Sequence, residues 1–344
     1  MRRSSYARAL TATLLAPALL AAAGCRGSPD QSVLEAAGPQ AGRVERLWWF
    51  SFYTAAAIYV VTVGALLWAG WRARRRDRAG GELPPEEHRG MRGAVAGGVA
   101  VTVAILIAFF FYDLSVGSAT SGSPTDRPLT IEVVGHQWWW EVTYADTSPH
   151  GRFSTANEIH VPVGRPVLFK LTSQDVIHSL WVPNLAGKKD LTPGYTQTLW
   201  FQADTPGVYR GQCAEFCGHQ HAKMGLLVIA EPPDQYAAWA KRSQQPAPEP
   251  TDSVTRRGQQ VFLTHSCVMC HAIEGTSAGS RAGPPLTGLA SRLTIAAGTL
   301  PNTRGNLAGW IVDPQRVKPG NHMPPNALES KDLDALLTYL QSLK

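Results

Sequence analysis

Two uncharged apolar stretches constrain this chain more than any other feature of its sequence. Residues 47–71 and 93–112 contain no charged side chain, and about 20 apolar residues are enough to cross the hydrocarbon core of a bilayer. Tryptophans stand near both ends of the first stretch, where interfacial aromatic residues are common; they are Trp48, Trp49, Trp68 and Trp71. We therefore predict two transmembrane helices, at 47–71 and 93–114, in preference to buried helices of a soluble core.

The connection between these helices, residues 72–92, predicts the orientation of the chain. It contains seven arginines, and short loops rich in Lys and Arg stay on the cytoplasmic side of a membrane. Residues 25–46 and the chain after residue 114 are then expected on the outer face. Residues 1–24 agree with this, because two early arginines, an apolar run and small residues form the layout of a secretory signal peptide.

Each of the five cysteines has a recognisable local context, which leaves no spare pair for a disulfide framework. Cys25 follows a run of small residues that resembles the cleavage site of a bacterial lipoprotein, so we predict a lipid anchor there. The alternative is a plain signal peptide, or an uncleaved anchor, with an incidental cysteine. The other four cysteines, Cys213, Cys217, Cys267 and Cys270, fall in two short motifs.

Composition argues for membrane or buried surface and against nucleic acid. Charged residues make up 17% of the chain, whereas about 25% is typical of soluble proteins. The formal net charge of +6 is partly explained by the arginines of 72–92. No basic stripe interleaved with aromatic residues is present, so we predict no nucleic-acid partner.

The chain after the second helix predicts two further domains. Residues 127–232 contain short β-rich runs separated by Pro, Gly, Asn and Asp, which indicates an antiparallel sandwich or barrel. The next segment, 233–251, ends in a polar, Pro-rich run and is predicted to be a semi-rigid linker. Residues 252–344 are predicted to be helical, because leucines recur there at i, i+3, i+4 and i+7.

Residues 213–224, with the sequence CAEFCGHQHAKM, predict a copper site. Thiolate, thioether and imidazole ligands together select copper, and one Cys with two His and a weak Met makes a mononuclear site. Two cysteines stand here, so two thiolates bridging two copper ions would use the ligands fully. His178, after a predicted strand, is the candidate for the second imidazole. A Cys213–Cys217 disulfide is the alternative, but it gives the neighbouring His and Met no role.

Residues 267–271 (CVMCH) match the C-x-x-C-H signature of covalent haem c attachment. Cys267 and Cys270 would form the thioether bonds, and His271 would be the proximal ligand. Met323 is predicted to be the distal ligand, because it is the only methionine after the motif; His322 is its competitor. A thioredoxin-like redox pair is not favoured, because it would need a βαβ context that the sequence lacks. A structural zinc site is not favoured either, because it would need further cysteines and none remain.

Three segments, 136–140 (HQWWW), 175–181 and 213–224, resemble subunit II of haem–copper oxidases. The resemblance covers roughly residues 30–232 and implies a cupredoxin-like Greek-key β-sandwich. It implies that two copper ions are held by His178, Cys213, Cys217, His221, Met224 and the backbone carbonyl of Glu215. The Glu215 side chain would also bind Mg²⁺ at the boundary with subunit I. His219 has the wrong offset and is interpreted as a loop residue.

Trp138 matches the surface position at which electrons enter in this family; the alternative is an ordinary interfacial or core aromatic residue. Residues 252–344 resemble a small class I cytochrome c, an all-α domain. Gly258 and Phe262 fit its first helix, and residues 283–286 (GPPL) fit the stretch beside the proximal histidine.

The resemblance implies a multidomain, electron-accepting subunit of a respiratory cytochrome c oxidase in the bacterial inner membrane, with both redox domains on the periplasmic face. Electrons would pass from a donor cytochrome c through haem c and the copper pair to subunit I, where oxygen is reduced to water. Subunit III is a further expected partner. The alternative is a copper-binding electron-transfer or assembly protein of another respiratory complex. A quinol oxidase subunit would lack the copper ligands.

Two departures from the family pattern limit what the resemblance implies. Many members carry a Glu near the cytoplasmic start of the second helix, at the mouth of a proton channel. Residues 88–95 contain no such Glu, and Glu86 and Glu87 stand at shifted positions. Residues 252–344 also carry more Lys and Arg than Asp and Glu, so gross charge does not favour a strongly basic donor.

Overall fold

Two long helices form the N-terminal part of the structure, a computed structural model that describes residues 31–78, 88–122, 124, 128–145 and 151–344. The predicted signal peptide, Cys25, Glu86 and Glu87 lie outside the described residues. Helix α1 spans Pro39–Arg78 and α2 spans His88–Ser121, beyond the predicted 47–71 and 93–114 at both ends. The helices pack through Phe50, whose ring centroid lies 4.8 Å from that of Phe109. Both are long and apolar enough to cross a membrane.

Residues that precede α1 tie it to the following domain. The Asn184 side-chain amide donates hydrogen bonds to the carbonyls of Ser32 and Glu35, at 3.1 and 3.0 Å. A Cβ at Gly38 would lie 2.1 Å from the Gln202 carbonyl oxygen, so only glycine allows this approach. The membrane helices therefore meet the β-domain at a defined place.

A sandwich of two five-stranded sheets follows, with strand orders β3-β2-β1-β5-β8 and β4-β10-β9-β6-β7. Strands β1 and β5 pair in parallel, as do β4 and β10, while their other neighbours are antiparallel. Alternate residues of β1 and β5 are buried, as expected for strands with one face in a core. The strands are β1 Leu129–His136, β2 Trp139–Tyr144, β3 Phe153–Ala156, β4 Glu158–Pro162, β5 Val167–Ser173, β6 His178–Trp181, β7 Lys189–Leu191, β8 Gln197–Phe201, β9 Gly207–Cys213 and β10 Gly225–Glu231.

More than half of the segment that was predicted to be a linker is instead a helix, α3 Pro233–Ser243. Pro233 in its first turn is a helix-start signal. Its Trp239 stacks on His160 of β4, with ring centroids 4.0 Å apart, and meets the edge of Tyr144. Burial of this aromatic face against the sandwich explains why the polar sequence nevertheless orders.

The C-terminal domain is built on helices α4 Ser253–Thr264, α5 Arg304–Val312, α6 Pro314–Val317 and α7 Ser330–Ser342. Helices α4 and α7 cross closely at Gly258, where a Cβ would lie 2.1 Å from the Ala335 carbonyl oxygen. Asp252 caps α4 by accepting from two backbone N–H groups. The domain is helical as predicted, with one addition: a small hairpin of β11 (Thr294–Ile295) and β12 (Leu300–Pro301).

Candidate copper and haem sites

The predicted copper ligands converge at one end of the sandwich. Cys213 ends β9, His178 begins β6, and Met224 immediately precedes β10. The two cysteine sulfurs lie 3.7 Å apart. The Cys213 Sγ lies 3.9 Å from His178 Nδ1, and the Cys217 Sγ lies 3.6 Å from His221 Nδ1 and 3.8 Å from Met224 Sδ. Each imidazole thus faces one sulfur of a central pair.

The backbone carbonyl of Glu215 completes this cluster, with its oxygen 3.2 Å from the Cys213 Sγ. The sulfur–sulfur distance of 3.7 Å is far longer than the ~2.05 Å of a disulfide, and both cysteines are free. His219 is exposed on the same loop. Two bridging sulfurs with imidazole, thioether and carbonyl groups around them fit soft or borderline metal ions such as copper.

Burial and hydrogen bonding prepare the cluster for metal. The hydrogen bond between the two sulfurs lowers the pKa of the Cys213 thiol to about 3 despite desolvation, and the same bond raises the pKa of Cys217. His178 has no exposed surface. Burial alone would lower the pKa of His178, but the hydrogen bonds and charges of Asp175 and Cys213 together outweigh it, and the pKa is raised. Metal ions bind cysteine as the thiolate, so the lowered pKa of Cys213 favours metal binding at this cluster.

Asp175 orients His178 and was missed as a site residue by sequence reasoning. Its carboxylate lies 2.8 Å from His178 Nε2 and accepts a 2.6 Å hydrogen bond from the Gln137 backbone N–H. A histidine whose outer nitrogen is held by a carboxylate presents its inner nitrogen to a metal in a fixed orientation. The signal was an acidic residue three positions before the candidate ligand, within the quoted 175–181 segment.

Trp138 lies inside the molecule, whereas the family resemblance implied a surface position and the alternative was an interfacial or core aromatic residue. It is 6% exposed and belongs to the core of the sandwich. Its indole N–H donates to the carbonyl of Cys217 at 2.9 Å, and the Gln137 side-chain amide donates to the same oxygen at 2.8 Å. Trp138 is therefore hydrogen-bonded to the backbone of a predicted copper ligand.

The predicted haem ligands line one cavity of about 310 Å³, within the range of ligand pockets. Cys267, Cys270, His271 and Met323 are all among the lining residues. The His271 Nδ1 donates to the Pro284 carbonyl at 2.8 Å, which leaves Nε2 for a metal. A Cβ at Gly283 would lie 2.9 Å from His271 Cε1, so glycine is needed where the ring packs.

The cavity fits a haem in both its apolar and its polar features. Phe262, Leu336 and Leu340 contribute apolar walls. Arg292 also lines it, and its buried Nε has no hydrogen-bond partner in the described part of the chain. Desolvation lowers the pKa of this guanidinium to about 10. A buried N–H donor without a protein acceptor is expected where the negatively charged propionate of a bound haem would accept its hydrogen bond.

One wall of the cavity comes from the β-sandwich. Gln137, Trp138, Trp139 and Asn157 line it together with residues of the C-terminal domain. The ring of His322 lies 5.6 Å from that of Trp138. His322 thus packs on the sandwich, which favours its neighbour Met323 as the haem ligand.

Further hydrogen bonds join the two domains around this shared wall. Glu158 is buried, and its carboxylate accepts from the backbone N–H groups of Leu293 and Thr294, at 3.2 and 2.9 Å. The Gly225 N–H donates to the Ala297 carbonyl at 2.9 Å. Trp139, Ala156 and Ala297 form a small apolar cluster between them. The hairpin region of the C-terminal domain is thus its docking element.

Comparison with known proteins assigns the chain to a family. A family profile described as "Cytochrome C oxidase subunit II, periplasmic domain" matches residues 147–231, and one described as "Cytochrome c" matches residues 255–344. The curated "Cytochrome c oxidase subunit 2" of Alkalihalophilus pseudofirmus is 36% identical over 330 residues, which cover 93% of this chain and 93% of that protein. The chain belongs to the cytochrome c oxidase subunit II family.

Other subunit II proteins resemble parts of the chain. The "Cytochrome c oxidase subunit 2" of Bacillus sp. (strain PS3) is 36% identical over 228 residues, 63% of this chain and 62% of that protein. A crystal structure of the periplasmic domain of subunit II from Bradyrhizobium japonicum covers 35% of this chain and 97% of its own, at 30% identity and a TM-score of 0.33.

Membership in the subunit II family confirms several predictions. The chain is a subunit of a haem–copper oxidase and takes part in electron transport. Its two apolar helices fit a membrane-anchored subunit with a periplasmic domain. Its matched domains imply copper in the cupredoxin-like sandwich and haem in the cytochrome c domain.

Proposed function

We propose that this subunit passes electrons from a donor cytochrome c through haem c and a dinuclear copper centre to the oxygen-reducing site of subunit I. The observation that carries the proposal is the position of Trp138. This residue forms part of the haem-cavity wall, and its indole N–H is bound to the carbonyl of Cys217. A single side chain therefore spans the distance between the two sites.

Six groups would hold the two copper ions: His178, Cys213, Cys217, His221, Met224 and the Glu215 carbonyl. The supporting observation is their convergence around a sulfur pair 3.7 Å apart. The centre would accept and release one electron at a time. Strands β6 and β9 hold His178 and Cys213, and Met224 immediately precedes β10. Close packing around these strands resists movement of the ligands. A site that moves little when its charge changes has a small reorganisation energy, which favours fast electron transfer.

The cytochrome domain would hold its haem through thioether bonds to Cys267 and Cys270, with His271 and Met323 as axial ligands. Bound haem would supply a one-electron couple whose potential depends on these axial ligands. The chain contributes orientation, because Pro284 fixes the His271 ring and the apolar walls exclude water. Arg292 would balance the charge of a propionate.

An external donor would deliver its electron to the cytochrome domain and not to the sandwich. Trp138 is covered by the docked domain and cannot receive a donor directly. Met269, between the two attachment cysteines, is 72% exposed and lines the haem cavity. This exposed rim supports the assignment of the donor contact to the cytochrome domain.

The remaining assignments concern the surroundings of the two centres. The Glu215 side chain would bind Mg²⁺ at the boundary with subunit I, and subunit III would complete the complex. The partly buried Glu215, whose carbonyl already faces the sulfur cluster, supports this placement. We place the complex in a bacterial inner membrane, with residues 72–92 in the cytoplasm and both redox domains in the periplasm.

Spectroscopy of the purified membrane complex tests the proposed function. We expect a mixed-valence two-copper EPR signal, haem c absorbance, and cyanide-sensitive oxygen uptake with reduced cytochrome c. A mononuclear copper signal, or the absence of a co-purifying haem–copper subunit, would overturn the proposal. The second result would favour an electron-transfer or assembly protein of another complex.

A further inference from the structure

Lys318 is a buried amine at the boundary between the two redox domains. It follows α6 in the cytochrome domain and is 3% exposed. Its Nζ donates to the backbone carbonyl of Trp138 at 2.9 Å and to that of Ala296 at 3.3 Å. Lys318 also lines the haem cavity. It therefore contacts the residue that separates this cavity from the copper ligands.

Burying a lysine amine is unfavourable, and two carbonyl acceptors offset only part of the cost. Desolvation, together with the nearby charge of Lys223, lowers the pKa of Lys318 to about 7. An apolar side chain would avoid this cost if the position served only for packing. The amine is therefore best explained by its hydrogen bonds, above all the one that crosses to Trp138.

We propose that Lys318 is a positioning residue for electron transfer between the haem cavity and the copper ligands. Its amine fixes the backbone of Trp138 from the cytochrome side, while the indole of Trp138 binds the Cys217 carbonyl on the copper side. The inference rests on the proposed function and deepens it. It predicts that removal of the amine loosens Trp138 without disturbing either set of ligands.

Lys223 provides a matched control, because it also crosses between the domains. Its Nζ donates to the Val317 carbonyl, next to Lys318 in sequence. Unlike Lys318, it is exposed, and its side chain donates its hydrogen bond to the carbonyl of Val317 and not to that of Trp138. If these lysines acted only by holding the domains together, either substitution would slow transfer. If Lys318 acts by positioning Trp138, only the substitution of Lys318 should slow it.

The test compares Lys318→Met, Lys318→Gln and Lys223→Met in the complete oxidase. Two readouts are needed: the single-turnover rate of haem c oxidation by the copper centre, and hydrogen–deuterium exchange of residues 136–141. We expect Lys318→Met to slow the transfer by about tenfold or more, since ångström-scale misplacement costs up to about 100-fold. Hydrogen–deuterium exchange of residues 136–141 should become faster in the same variant. Lys318→Gln, which keeps an N–H donor, should restore part of the rate, and Lys223→Met should match the wild type.

Wild-type transfer rates and exchange in both Lys318 variants would overturn the inference. Equal slowing in Lys223→Met would also overturn it, because docking in general would then be the cause. Optical and EPR spectra of both centres are recorded on every variant, so that rates come only from fully loaded protein. A different result would overturn the proposed function itself: the wild-type protein would lack the two-copper signal, the haem or any electron transfer between them.

Discussion

The indole N–H of Trp138 donates a 2.9 Å hydrogen bond to the backbone carbonyl of Cys217, across 79 positions of sequence. Trp138 also lines the haem cavity. Trp138→Phe keeps an aromatic ring but removes the donor. We expect slower haem c oxidation with both centres still loaded, measured in single turnover.

Trp200→Phe is the control for that substitution. The Trp200 indole nitrogen is buried without a hydrogen-bond partner among the residues that the structure describes, and Trp200 lies on β8 in the sheet opposite the copper ligands. Its replacement should leave the transfer rate unchanged. Equal rates for wild type and Trp138→Phe would show that the hydrogen bond has no part in the transfer.

Met323→Ala should remove the distal haem ligand and leave the copper spectrum intact. Loss of a thioether ligand changes the axial field of the iron, so the haem c potential should fall and the absorbance should shift. Met269→Ala is the matched control, because Met269 is exposed between the attachment cysteines. His322→Ala tests the competing ligand. If the spectral change expected for loss of an axial ligand occurred in His322→Ala and not in Met323→Ala, His322 would be the distal ligand.

Asp175→Asn should weaken copper binding without abolishing it. The carboxylate holds His178 Nε2 at 2.8 Å, and loss of such an outer partner typically lowers metal affinity by about 10–100-fold. Copper retention during dialysis against a chelator measures the effect. Asp190→Asn, at an exposed position of β7, should retain copper like the wild type. Identical retention in Asp175→Asn would refute an orienting role.

Glu158→Gln should destabilise the docked cytochrome domain. The buried carboxylate accepts two backbone hydrogen bonds and a third, at 3.1 Å, from the Thr294 hydroxyl. An amide NH₂ would face one of these donors, and a buried donor left unpaired costs about 1–3 kcal/mol. Urea unfolding followed by haem absorbance measures the change in the free energy of unfolding.

Glu132→Gln is the comparison for this stability measurement. Glu132 pairs with Arg152 at the surface at 2.6 Å, and such pairs contribute about 0–1 kcal/mol. Replacement of Glu132 should change the free energy of unfolding by less than replacement of Glu158 does. A larger effect at Glu132 would contradict the assignment of Glu158 to the docking contact.

The copper and haem motifs could be predicted from sequence because their chemistry is local. Cys213, Cys217, His221 and Met224 stand within one loop, and Cys267 to His271 within one turn. The loop needed a second imidazole from elsewhere in the chain. His178 was the candidate because it follows a predicted strand, and the family resemblance implied the same residue. Short strands such as β6 and β7 have only three or four residues, which is too few for an alternating pattern to be recognised.

The contact between the domains could not be predicted, because its partners are far apart in sequence and carry no pattern. Lys318 and Trp138 are separated by 180 positions, and Lys318 stands in a polar stretch where an exposed lysine would be expected. The helix α3 was hidden for a related reason. Tertiary contacts of Trp239 with His160 and Tyr144 distinguish it from a flexible polar segment.

The short connection between α3 and α4 has a consequence for how the two centres meet. The Ala247 N–H donates to the Glu274 carbonyl at 2.9 Å, so the tether itself is fastened to the cytochrome domain. A short tether holds its module at an effective concentration of about millimolar or above. Electron transfer between haem and copper is therefore intramolecular, and its rate should not depend on protein concentration. Only the binding of the external donor is bimolecular, so only that step should depend on protein concentration.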